Sequence, residues 1–164
     1  MRAAAGAAKQ SNLEFLRYAH QHDIPFPQNI TRSADVECLR YALENHAIVG
    51  TDTFMEAMAT ADVPLECLKL LREYGAPWDE RACDVSITRD VTYLQYLVEN
   101  SCPYSDTLVS GAARANRIDH LKYLVSDCLL AVDDNVFFDA LCFGSFECVQ
   151  YLVDLGFSCT MPAK

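Results

Sequence analysis

A short phrase of apolar and polar residues is written six times along this chain. The copies are Leu13-Glu-Phe-Leu-Arg-Tyr, Val36-Glu-Cys-Leu-Arg-Tyr, Leu65-Glu-Cys-Leu-Lys-Leu, Val91-Thr-Tyr-Leu-Gln-Tyr, Ile118-Asp-His-Leu-Lys-Tyr and Phe146-Glu-Cys-Val-Gln-Tyr. Their first residues are 23, 29, 26, 27 and 28 apart. In the fourth copy Val91, Leu94, Leu97 and Val98 fall at i, i+3, i+6 and i+7, one face of a helix. No alternating strand pattern interrupts the series. A period of this size predicts a solenoid, in which stacked units share one continuous core.

The residues around each phrase predict where its helix starts and stops. Asp90 precedes the fourth copy as an N-cap, and Asn12, Asp35 and Ser145 stand at the same place elsewhere. Glu14, Glu37, Glu66, Asp119 and Glu147 follow in the first turn, at the positive end of the helix dipole. Arg17, Arg40, Lys69 and Lys122 come three residues later; such pairs add about a few tenths of a kcal/mol and mark a solvated face. Gly75 and Gly156 suit left-handed C-caps, with Asp23, His46, Ser101 and Cys128 in their place in other units. Pro25, Pro77 and Pro103 then prevent continuation.

A shorter helix is predicted before each phrase, over 3–8, 54–59, 82–87, 108–115 and 136–143, with Asp79, Ser105 and Asp133 capping three of them. Only 28–34 is available in the second unit, enough for a turn or two. Ala7, Ala8, Ala59, Ala112, Ala113 and Ala140 let paired helices approach closely. Tyrosine recurs in the longer helix as Tyr18, Tyr41, Tyr96, Tyr123 and Tyr151, where rings pack between units and hydroxyls reach water. The expected architecture is all-α: about six helix-turn-helix units over 1–25, 26–48, 49–77, 78–103, 104–130 and 131–164, as one array.

These units resemble ankyrin repeats, whose pattern runs T-P-L-H-x-A-A-x-x-G-H-L-E-I-V-K-L-L and then G-A-D. The fifth unit fits best. Thr107, Ala112, Ala113, Leu121, Lys122 and Leu124 match, Ile118 and Asp119 are close replacements, and the third unit supplies Gly75-Ala76. No copy keeps T-P-L-H, and the period is shorter than the family's 33 residues. The missing residues fall where ankyrins extend a β-hairpin finger, so the resemblance implies short loops in place of fingers.

Composition narrows the function. The chain carries 23 acidic against 13 Lys and Arg residues, a formal net charge of −10. That balance opposes binding to nucleic acid or anionic membranes. No run of 18 apolar residues predicts a membrane span. The alanine-rich stretch 1–9 lacks the apolar run of a signal peptide and suits a helix. Of the eight cysteines, Cys38, Cys67 and Cys148 share one place in the phrase, so in stacked helices they lie about 10 Å apart, beyond disulfide reach. Most of the thiols, with Cys83, Cys102 and Cys128, read as small buried residues in a reducing, cytoplasmic setting. A bridge or metal site among Cys142, Cys148 and Cys159 stays open.

No hydrolase elbow, phosphate loop, dinucleotide fingerprint or zinc-protease motif is present. His20, His22, His46 and His120 each have a structural reading. No catalytic residue, metal or cofactor is expected. The resemblance implies instead a protein-binding scaffold that works through its loop tips and the concave face of its shorter helices. The loop positions are Phe26, Val49, Trp78, Tyr104 and Ala131. In ankyrins this place packs inward, so Trp78 and Tyr104 stand between rim and core. The candidate contact residues are Trp78, Asp79, Glu80, Asp84, Tyr104, Asp106, Arg114 and Asp139, and their excess of acid suggests a basic partner segment. Two other readings stand beside this one. The chain would be the recognition arm of a ubiquitin-ligase subunit or an effector acting in a host's cytoplasm or nucleus, or else a cysteine-dependent enzyme. The unit from 131 keeps Phe146, Val149, Leu152 and Phe157. Its outer face is expected to be partly bare, covered by more of a longer chain or by another molecule, a second copy included.

Overall fold

The computed structural model describes residues 2–26, 28–60 and 62–157, and for 2–11, 28 and 29 it describes the backbone alone. Every regular element among them is helical. In order these are α1 (Arg2–Gln21), a 3₁₀ turn (Gln28–Arg32), α2 (Val36–Glu44), α3 (Thr53–Ala59), α4 (Leu65–Glu73), α5 (Glu80–Ser86), α6 (Val91–Glu99), α7 (Leu108–Arg114), α8 (Ile118–Lys122), α9 (Asp134–Cys142) and α10 (Phe146–Asp154), with a π-helical turn over Tyr123–Asp127 continuing α8. None is long and apolar enough to cross a membrane.

The chain divides into two compact units, 1–78 and 79–164. In the second, α5, α7 and α9 form one row, the short helices of the sequence pattern, and α6, α8 and α10 form the row of the repeated phrase, α8 being lengthened to Asp127 by its π-helical turn. Each short helix packs on the longer helix that follows it. In the first unit α1, α2 and α4 lie side by side, and the 3₁₀ turn packs on α2 and α3. Helices of seven residues are unstable alone in water, so tertiary burial holds them. The fourth residue of the phrase supplies much of that burial: Leu39, Leu68, Leu94 and Leu121 are all but fully enclosed. The third residue is buried in four copies, as Cys38, Cys67, His120 and Cys148, whereas Phe15 is exposed and Tyr93 half-buried.

Helix starts follow the carboxylates. The Asp35 side chain accepts from the Glu37 and Cys38 amides at 3.0 and 3.2 Å. Asp79, Asp90 and Asp133 do the same for Arg81, Thr92 and Val136, each at 3.0 Å. A cap of this kind is worth about 1 kcal/mol. The hydroxyl and amide caps fail. Asn12 lies inside α1. Ser105 sits two residues before the N-cap position, Thr107, and its hydroxyl meets the Thr107 hydroxyl at 2.7 Å. The Ser145 hydroxyl donates to the Arg114 carbonyl at 3.1 Å, tying the start of α10 to the end of α7.

The first unit departs from expectation at its start. A short helix over 3–8 followed by a separate long one was expected; instead 2–21 is one helix of 20 residues. Nothing between the alanine-rich stretch and Leu13 breaks a helix, and alanine has the highest helix propensity. The side chains of Ala7 and Ala8 lie outside the described residues. Ala59 is exposed, while Ala57 takes the buried place expected of it.

Helix ends share one backbone device. Asp23, His46, Gly75, Ser101 and Gly156 have positive φ, and the next residue's amide reaches back five residues, as Cys102 does to Leu97 at 2.9 Å. The fifth unit is displaced. Cys128 has φ −86°, and the left-handed residue is Leu129 at φ 55°. The Leu130 amide therefore bonds Leu124, six residues back, at 3.0 Å. The wider turn over 123–127 holds one additional residue, a local insertion inside the helix. The loop position expected at Ala131 consequently falls at Val132. Ala131 is exposed and Val132 half-buried, as are Phe26, Val49 and Trp78 at that place.

Candidate interaction surface

The row α5–α7–α9 and the turns leading into it carry most of the candidate residues of the second unit. Glu80 and Asp84 lie one turn apart on α5, and both are exposed. Asp79 is already engaged: besides capping α5 it pairs with the Arg81 guanidinium at 2.7 Å. That guanidinium holds the Asp79 carboxyl below its ordinary range. Asp106 is exposed in the turn before α7. Tyr104, in the same turn, is 39% exposed and therefore belongs to the rim. Arg114 and Asp139 face one another across α7 and α9, Nε to Oδ2 at 3.7 Å. A pair this exposed is worth about 0–1 kcal/mol, so it leaves both charges largely available to a partner.

Trp78 closes the first unit and is half-buried. Its ring meets Phe54 edge to face, with centroids 5.4 Å apart and planes at 88°. The Arg72 guanidinium lies 4.2 Å from the ring centre, held there by a 3.0 Å bond to the Ala76 carbonyl. The indole is thus a packing residue with an exposed remainder.

Charge is unevenly placed in 79–164. On α5, α7, α9 and their entry turns stand Asp79, Glu80, Asp84, Asp106, Asp133, Asp134 and Asp139, against Arg81 and Arg114 alone. Asp134 escaped the sequence reading, and so did the exposed Phe138 and Leu141 on the same helix. The signal was present. Phe137 and Phe138 are adjacent, and neighbours on a helix point about 100° apart, so both cannot face the core.

The titratable interior is quiet. The His120 Nε2 lies 3.2 Å from the Ser86 carbonyl, and burial pushes the imidazole below its ordinary value. Burial raises the Cys38 and Cys148 thiols to about 11. Cys83 is raised by its hydrogen bond to Cys102 and by burial, and Cys128 by burial. Among the described residues no His, Cys, Asp and Glu side chains cluster as metal ligands. Cys159, expected near Cys142 and Cys148, lies outside the described residues.

His120 makes stability depend on pH. Its folded pKa lies below its unfolded value of about 6.5, so the unfolded chain binds the proton first. The contribution is present above about pH 6.5 and is lost as pH falls toward the lowered folded value. Asp90, Asp119 and Arg117 surround the ring and modulate the shift. Urea unfolding between pH 7 and pH 5 should show stability falling for the native chain. His120→Cys, the residue of three other copies, should give a flatter response; equal slopes would refute the assignment.

Compared with protein-family models, curated proteins and solved structures, the chain finds no significant match.

Proposed function

We propose that this chain is a non-enzymatic, ankyrin-like interaction module whose short-helix face in 79–164 takes a basic segment of a partner protein. The observation that carries the reading is the charge on that face, seven carboxylates against two guanidinium groups. Complementary charge steers a partner and speeds association. Phe157 and Gly156 repeat the turn geometry of Ala76 and Gly75, which supports a repeated ankyrin-like unit with loops trimmed of fingers. The thiols of Cys38, Cys83, Cys128 and Cys148 are raised above their ordinary value, which makes each a poorer nucleophile. Five buried cysteine thiols suit a reducing compartment, the cytoplasm.

The test is affinity capture with the purified chain and with an Asp84→Arg, Asp106→Arg variant. Both positions are exposed, so helix content should not change. A protein retained by the native chain, weakened by added salt and lost by the variant is the expected result. Retention indifferent to both changes would move binding away from this face and overturn the reading.

A further inference from the structure

The α9–α10 hairpin presents an apolar face that its neighbours do not cover. On α9, Phe138 and Leu141 are 56% and 42% exposed; on α10, Phe146 and Val153 are 74% and 51% exposed. Helical spacing places both stripes on one side. Asp139 turns toward α7, where it meets Arg114, and Phe138 and Leu141 lie away from it around the helix. Tyr151 turns toward the α8 segment, with its hydroxyl 3.1 Å from Ser126 and Lys122 5.8 Å from its ring. Phe146, Val149 and Val153, at i, i+3 and i+7, lie on the opposite side. At the place of Val149 the two preceding hairpins carry Leu94 and Leu121, both fully buried.

Two observations decide what fits there. First, the internal short helices hold small residues at the places of Phe138 and Leu141, namely Cys83 and Ser110, then Ser86 and Ala113. Small residues admit the next hairpin closely; two bulky side chains keep such a hairpin away. Second, Tyr123 to Phe157 contains six carboxylates and no Lys, Arg or His. Two copies brought face to face would oppose like charges around the apolar centre, which disfavours the second copy expected from sequence. A single helix with an apolar stripe and cationic flanks satisfies both conditions, since its apolar residues meet the stripes while its flanks meet a segment whose only charges are carboxylates, among them Asp134, one turn before Phe138 on the same stripe.

We propose that this face of the α9–α10 hairpin docks a basic amphipathic helix from another protein, at the end of the α5–α7–α9 row and apart from Asp84 and Asp106. The probe is a synthetic helix with Leu at i, i+3, i+4 and i+7 and Lys on the flanks, labelled for anisotropy and titrated with the whole chain. Saturable binding is expected, weakened about tenfold or more by Leu141→Ser with Phe146→Ser and unchanged by Asp84→Arg with Asp106→Arg. Circular dichroism checks both variants. If the serine variant unfolds, Asp134→Lys replaces it and should weaken binding in the same direction. Equal binding of a Leu/Glu probe or of a scrambled Leu/Lys probe overturns the proposal. So does a concentration-dependent dimer in sedimentation that Phe146→Ser abolishes, because a second copy then occupies the face. The short-helix reading would survive either result, since it is tested by different residues.

Discussion

Phe54→Ala is expected to lower the free energy of unfolding by about 3–5 kcal/mol, the largest effect of any single change considered for this chain. Phe54 lies on α3 and is fully enclosed. Truncation removes its transfer free energy and leaves a cavity that the rigid neighbours fill only in part. It also removes the edge-to-face contact with Trp78, a pair interaction worth about 0.5–1.5 kcal/mol in its own right. Trp78 is the single tryptophan, so its fluorescence reports the region directly. A urea midpoint close to the native one would show that the α3 environment collapses around the vacancy, and the packing described for Trp78 would then be wrong.

Ala112→Leu should destabilise by about 1–3 kcal/mol through the opposite fault, too much volume. Ala112 and Ala113 on α7 and Ala140 on α9 are all fully buried where the two short helices meet. Three extra carbons at that contact force the helices apart or push side chains off their rotamers. The control is Ala115→Leu, one turn end away and exposed, which should stay within about 0.5 kcal/mol of the native chain. If the two variants unfold alike, the close approach of α7 and α9 is not what holds the row together. Separation of those helices would also part Arg114 from Asp139, so any loss of partner binding by Ala112→Leu would be read beside its stability.

Much of this is legible in the sequence, and the legible parts share a cause. Carboxylate caps, left-handed helix ends and the leucines of the phrase act within one or two turns, so local sequence determines them. Asp35, Asp79, Asp90 and Asp133 cap where the pattern placed them. The hydroxyl caps were less readable because serine has several neighbours within reach, and Ser145 took the Arg114 carbonyl. The unbroken α1 was missed because repetition argued for a hairpin while local propensity argued for continuity, and local propensity prevailed. Of the eight candidate contacts, the exposed Glu80, Asp84 and Asp106 keep the surface they were expected to have, whereas Asp79 works at its own helix start and Trp78 packs on Phe54 and Arg72. The end face was half-seen: Phe146 was expected to be bare, but Phe138 and Leu141 carry as much of it.

The wide turn over 123–127 bears on how such a chain tolerates change in length. An extra residue inside an ordinary helix rotates every later side chain by about 100° and would swing the following helices off their contacts. Here the surplus bulges within a single turn, and rotational phase is recovered before Asp133 caps α9. Length can therefore drift from copy to copy without disturbing which side of each helix faces inward. Uneven spacing between copies then becomes compatible with one packing scheme, and alignments drawn at constant spacing will slip by a residue beyond Lys122.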